Sequence, residues 1–361
     1  MTSSVPIRGA VRGRGAKSNL SGRFESHQRD DFDDGWSEGE EELPRLNDEL
    51  IRLTQKTIIS RNDSPDVGFE QSINPYIGCS HGCIYCYARP SHAYMGLSPG
   101  IDFESKIFFK PDAAQLLERE LSRRGYVPKP IHIGGNTDPY QPAERNLRIT
   151  RSILHVLDRF NHPLSIITKN AAITRDLDIL APMAARGLVR VAVSITTLDR
   201  KLARTMEPRA ATPERRLSAI QALAAARVPV AVMFAPVIPG LTDHELEAVL
   251  ERSKSAGATS AGYVMLRLPL EIADLFREWL EAEQPDRAKR VMSLIRQTRG
   301  GKDYVSQWST RMKGEGPIAD LVRQRFARAK KALGLDAERP PIRTDLFAIP
   351  PKPVEQLSLF G

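Results

Sequence analysis

Cysteine is scarce in this chain of 361 residues: there are three, and no others. All three fall in one short stretch, Cys79-Ser80-His81-Gly82-Cys83-Ile84-Tyr85-Cys86. An odd number excludes a closed set of disulfides. Free, clustered thiols point to a reducing compartment, so the chain is expected to be cytoplasmic. Long apolar runs are also missing. The longest, around residues 228–238, is broken by prolines and is too short to span a bilayer. Arg8, Arg12 and Arg14 near the start are followed by no apolar core, so no secretory signal is expected. No short repeat recurs, which argues against a solenoid.

What remains is concentrated chemistry. Thiolates are soft ligands, and three at Cys-x3-Cys-x2-Cys spacing converge on one metal ion or cluster. A closed structural site takes four ligands. His81, inside the loop, or His92, six residues past Cys86, could complete a Cys3His zinc site. Alternatively, three cysteines on a [4Fe–4S] cube leave one iron open.

Hydrophobic residues make up 41% of the chain, enough for one large domain with a substantial core. The net charge of +8 is compatible with a nucleic-acid partner. Residues 1–62 are expected to be a flexible arm. It is Gly/Arg-rich over Arg8-Gly9-Ala10-Val11-Arg12-Gly13-Arg14-Gly15, and such a segment could touch phosphate backbones. It then turns acidic: between residues 30 and 49 ten acids face one base, Arg45. Such charge blocks are usually solvated.

From about residue 100, short apolar runs alternate with amphipathic stretches. The pattern predicts strands at 130–134, 164–168, 189–194, 228–234 and 260–267, with helices at 112–124, 143–160, 175–185, 213–226 and 243–256. Such alternation predicts parallel β/α units. With a first strand near the cysteine loop there are about six, which gives an α/β fold, a partial (β/α)6 barrel, over residues 63–270. A helical extension (271–335) and a proline-rich tail (336–361) follow. Chemistry in parallel barrels gathers after the C-terminal ends of strands. Polar segments fall there in succession: Gly134-Gly135-Asn136-Thr137-Asp138, then Thr168-Lys169-Asn170, Ser194-Ile195-Thr196-Thr197 and Glu207-Pro208-Arg209. Each has an ordinary reading too: Thr137 as a helix cap, Lys169 as a lysine reaching solvent.

The cysteine spacing, the aromatic Tyr85 before the last cysteine and the ordered strand-end motifs together resemble the radical S-adenosylmethionine (SAM) enzymes, in particular the subgroup related to spore photoproduct lyase. The resemblance covers residues 70–270. It implies a [4Fe–4S] cluster on Cys79, Cys83 and Cys86, with SAM chelating the open iron. Reductive cleavage of SAM then yields a 5′-deoxyadenosyl radical that abstracts hydrogen from a substrate. It also implies SAM contacts at Tyr85, Thr137, Asp138, Lys169, Ser194 and Arg209, and an electron donor of flavodoxin or ferredoxin type. On this reading His81 shields the cluster. Spore photoproduct lyase uses a further cysteine near the end of an early strand. Here that region holds Gly134, Gly135 and Asn136, and Tyr140 or Tyr263 are the alternative hydrogen donors.

The chain ends Gln356-Leu357-Ser358-Leu359-Phe360-Gly361. These residues resemble the peptide by which bacterial repair and replication proteins bind the sliding clamp, with Leu359 and Phe360 as apolar anchors. The prolines before it would hold it away from the barrel. The alternative is that the leucines and Phe360 fold back onto the barrel. The sequence therefore favours a radical SAM enzyme acting on nucleic acid, in DNA repair or modification. An enzyme modifying a protein or small molecule is the second reading, and a zinc-containing nucleic-acid adaptor the third.

Overall fold

The computed structural model describes residues 13–25, 47–337 and 341–351. Six parallel strands pair in chain order: Gln71–Ile73, Ile131–Ile133, Leu164–Thr168, Val189–Ser194, Val230–Val237 and Ser260–Met265. Ser60–Arg61 adds a short antiparallel edge to the first. The first and sixth strands are not hydrogen-bonded to each other, so the sheet curves as a partial barrel, the expected α/β architecture.

Alternation sets the two faces of each strand. In the third and fourth strands Leu164, Ile166, Val189, Val191 and Val193 are buried against the helix layer. Ser165, Ile167, Arg190 and Ala192 lie between them on the concave face and are only half-buried. The outer layer is Ala113–Leu121, Ile149–Arg159, Leu177–Ala185, Pro213–Ala225 and Leu246–Ser255. Helix starts follow local chemistry. Thr212 caps a helix with proline in its first turn, and Asp199 accepts from Lys201 N at 2.7 Å to start Arg200–Met206. The helix expected over 143–160 is broken at Arg148, which has a φ of 50°, because Glu144 turns back to accept Thr150 N–H at 2.9 Å.

The C-terminal helices Ile272–Glu283 and Pro285–Gln297 form a second apolar core with Ile84, Tyr85, Leu202 and Met206. Trp279, fully buried, donates its indole N–H to Thr205 O at 3.1 Å. Gly316–Ala332 packs Phe326 on Tyr263 of the sixth strand.

Two parts differ from the sequence expectation. Within the expected 1–62 arm, residues 13–25 run against the cysteine loop, and Arg14, Ala16 and Ser18 are buried. The strand Glu49–Arg52 pairs with Lys106–Phe109 in a small second sheet, which also holds Tyr76–Ile77. The reason is buried carboxylates: Glu104 accepts the N–H groups of Gly15 and Ala16 at 2.9 and 2.8 Å, and Asp48 pairs with Arg14. Arg14 is thus committed inside the protein, not offered to phosphate. Within the expected extended tail, residues 341–351 pack on the barrel. Ala348 N donates to Phe160 O, and the Phe347 ring sits among Tyr126, Phe160 and His162. The clamp-like peptide Gln356–Phe360 lies outside the described residues. Among the described residues, no helix is long and apolar enough to cross a membrane.

Candidate active site

The cysteine loop follows Tyr76–Ile77 and is turned by Gly78 and Gly82, both with positive φ. Cys79 and Cys83 are buried and Cys86 is half-buried. Burial pushes all three thiols above the ordinary range, so a metal bound by them would have to displace their protons.

Three buried clamps fix the loop. Arg89, fully buried, donates Nε–H to Cys83 O at 2.9 Å and its terminal nitrogens to Pro99 O, Gly100 O and the Glu104 carboxylate. On the barrel side, Gln141 accepts from Ser80 N at 2.9 Å, and Thr137 donates to Gly78 O at 2.8 Å. Across the loop, the Tyr85 hydroxyl donates to Glu207. Glu207 is also held by Thr196 at 2.6 Å and by the Arg216 guanidinium, which reaches on to Ser194 O at 3.1 Å. Burial raises Glu207 against the pull of Arg216.

The residues expected to contact SAM divide into two groups. Thr137, Asp138, Tyr85 and Arg209 have protein partners. The Asp138 carboxylate accepts from Thr168 Oγ1, Lys169 N and Tyr140 N at 2.7 to 2.9 Å. Arg209 does clamp a carboxylate with both terminal nitrogens, and it is that of Asp48; its own N–H donates to His81 O. Lys169 and Ser194 stand apart from these. By strand alternation both follow the concave face, two residues on from Ile167 and Ala192. The Lys169 ammonium lies 5.6 Å from the Tyr85 ring centre, with one long contact, 3.4 Å, to Ala235 O. Burial lowers its pKa, while the nearby Cys83 and Cys86 sulfurs oppose the shift. Lys169 and Cys86 nevertheless keep accessible surface, so they border open space inside the barrel.

Neither histidine points to a zinc site. His81 lies 3.4 Å from Asp138 through Nδ1 and meets Asn170 through Nε2. His92 is enclosed by Phe103 and Phe108, and burial holds it near pKa 4. Among the described residues no three His, Cys, Asp or Glu side chains converge on a single ion. The alternative hydrogen donors face outward. Tyr263 packs under Phe326, and the Arg175 guanidinium covers the ring of Tyr140 in the main core.

A partial barrel of six successive strands with three thiols at its mouth defines a radical SAM-type enzyme. The model of the radical SAM superfamily matches residues 73–252. An uncharacterised protein of Mycobacterium tuberculosis is 38% identical over 230 residues, covering 63% of this chain and 68% of that one. An uncharacterised protein of Methanocaldococcus jannaschii is 26% identical over 238 residues, covering 66% and 85%. Among solved structures, a spore photoproduct lyase variant superposes with a TM-score of 0.52 at 15% identity, over 79% of this chain and 80% of that one. That likeness shows the fold. The chain belongs to the radical SAM superfamily, whose enzymes work with a [4Fe–4S] cluster and SAM.

Arg89, Glu104 and Arg216 carry no local signal in the sequence, and Glu207 stands out there only as part of the Glu207-Pro208-Arg209 segment.

Proposed function

We propose that Cys79, Cys83 and Cys86 hold three irons of the cluster, that Lys169 receives the carboxylate of SAM, and that the substrate is a nucleic acid. The observation that carries this is the Lys169 ammonium, which lies near the Cys83 and Cys86 sulfurs in the barrel, feels the Asp138 carboxylate only at longer range and makes no ion pair among the described residues. When bound, the cluster and SAM supply a carbon-centred radical that abstracts hydrogen. The chain's own residues hold the groups in place. Ser194 lines the concave face beside Lys169. Tyr85, Thr137, Asp138 and Arg209 serve SAM by fixing the loop around it. His81 covers the cluster from outside. A flavodoxin- or ferredoxin-type protein supplies the electron. The net charge of +8 supports a polyanionic substrate.

Anaerobic reconstitution with iron and sulfide, followed by EPR with and without SAM and chromatography for 5′-deoxyadenosine, tests this reading. A cluster signal that changes with SAM, and deoxyadenosine that vanishes in Cys83→Ala, are expected. Lys169→Met should keep the cluster and weaken SAM about tenfold or more, the loss of one charge-assisted contact. Stoichiometric zinc without SAM cleavage would overturn the reading. The terminal Gln356, Leu357, Ser358, Leu359 and Phe360 are proposed to bind a sliding clamp. Calorimetry with a bacterial clamp should show binding by the full chain and none after truncation at Pro353; equal binding would end that idea.

A further inference from the structure

The sixth strand ends beside the cysteine loop, and the residue that follows Leu266 there is an arginine that pairs with no carboxylate among the described residues. Arg267 lies over the ring of Tyr87, 4.9 Å from its centre, and Tyr87 directly follows Cys86. Among the described residues the only polar contact of the Arg267 guanidinium is a 3.4 Å approach of one terminal nitrogen to Met312 Sδ, and its Nε is buried with no partner. Buried guanidinium nitrogens are normally satisfied, and leaving one bare is costly.

Its surroundings add positive charge. Arg299, 1% exposed, also has a bare Nε, although its terminal nitrogens donate to Thr310 O and Leu266 O. Burial and the neighbouring Arg267 push Arg299 down to about 10. The carboxylate within electrostatic reach of Arg267, Asp66, is already committed to the Arg311 guanidinium and to Ser309 N–H. Glu315 lies within electrostatic reach of Arg299, so three guanidiniums, Arg267, Arg299 and Arg311, face two carboxylates here, and positive charge remains in excess.

The same mouth carries aromatic faces. Tyr87 is 46% exposed although its hydroxyl donates to Gly135 O. Phe69, close to Gly135, stacks on His132 with ring centres 4.2 Å apart. Aromatic faces beside an unpaired arginine are how proteins grip unstacked nucleotides, with bases on the rings and phosphates on the guanidinium.

We propose that Arg267, braced by Tyr87, binds a phosphodiester of the substrate strand and so sets which nucleotide lies at the open space beside Cys86. The inference rests on the nucleic-acid reading above. Its test measures anisotropy of a short labelled single-stranded oligonucleotide on the reconstituted full chain, across a salt series and at equal cluster content. Arg267→Gln should bind about tenfold or more weakly, and the salt slope should fall by about 0.7, the release of one phosphate's counterions. Arg267→Lys keeps the charge without the planar fork and should fall between. A neutral methylphosphonate at the contacted linkage should weaken the wild type and leave Arg267→Gln unaffected. Wild-type affinity and slope in Arg267→Gln would overturn the proposal. If the wild type binds no oligonucleotide, the nucleic-acid reading fails, and calorimetry with inorganic pyrophosphate decides the receptor by itself. Heat in the wild type that is lost in Arg267→Gln keeps an anion receptor for another phosphorylated substrate; no heat in either overturns it.

Discussion

Arg89 carries more of the cysteine loop's geometry than any residue between the cysteines. Four of its five donors reach Cys83 O, two further carbonyls and Glu104, and none of it meets solvent. Replacing it by methionine would fill the space and leave the Glu104 charge buried beside two backbone N–H groups. Breaking a buried pair on one side costs about 3–5 kcal/mol. Arg89→Met should therefore lower the urea midpoint of the apo chain markedly and lower the iron retained after reconstitution. Arg89→Lys should rescue little, because an ammonium cannot span four acceptors in a plane. An unchanged midpoint in both variants would show that the pair is not what holds the loop. The contrast with the cysteines is physical. Cys79, Cys83 and Cys86 are legible because they fall together in one local loop, so spacing alone displays them as a candidate ligand set. Glu104 and Glu207 act there across 15 and 122 residues, and Arg216 acts through Glu207; no local pattern records such pairings.

Elements were legible where periodicity rules and illegible where a single buried charge does. The strands expected at 164–168 and 189–194 are Leu164–Thr168 and Val189–Ser194, since alternating Val, Ile and Leu leave no second choice of face. The segment at 13–25 has no apolar period at all. It is ordered by hydrogen bonds to Glu104, and by closeness: a Cβ on Gly15 would stand 1.9 Å from Gly82 O, inside the cysteine loop. That backbone contact cannot relax by rotating a side chain. Gly15→Ala should therefore push the segment off the loop and shorten the lifetime of the bound cluster in air, followed by loss of its visible absorbance. Deleting residues 1–25 should do the same. Wild-type bleaching rates in both would mean that the segment merely lies against the loop.

The barrel is packed against segments near both ends of the chain, residues 13–25 and 341–351, and its enclosed imidazoles report on that assembly. His92 sits in the aromatic cage behind the cysteine loop. His132 lines the concave face, bonded to Ser165 at 2.9 Å. His162 meets Tyr126 at 2.8 Å beside Phe347 of the docked tail. Burial holds each near pKa 4, against about 6.5 in an unfolded chain. The sign follows from proton counts. Between pH about 6.5 and about 4 the unfolded chain binds protons at these sites that the folded chain refuses, so stability falls as pH falls through that window. The apo protein should accordingly melt lower at pH 5 than at pH 7. Truncation before residue 341 exposes His162 and should remove part of that difference, because its imidazole can then charge without leaving the fold. Calorimetric scans of the full and truncated chains at the two pH values check this. A melting temperature that is flat from pH 7 to 5 in the full chain would mean that the imidazoles take up protons within the native structure, and that the tail seals nothing.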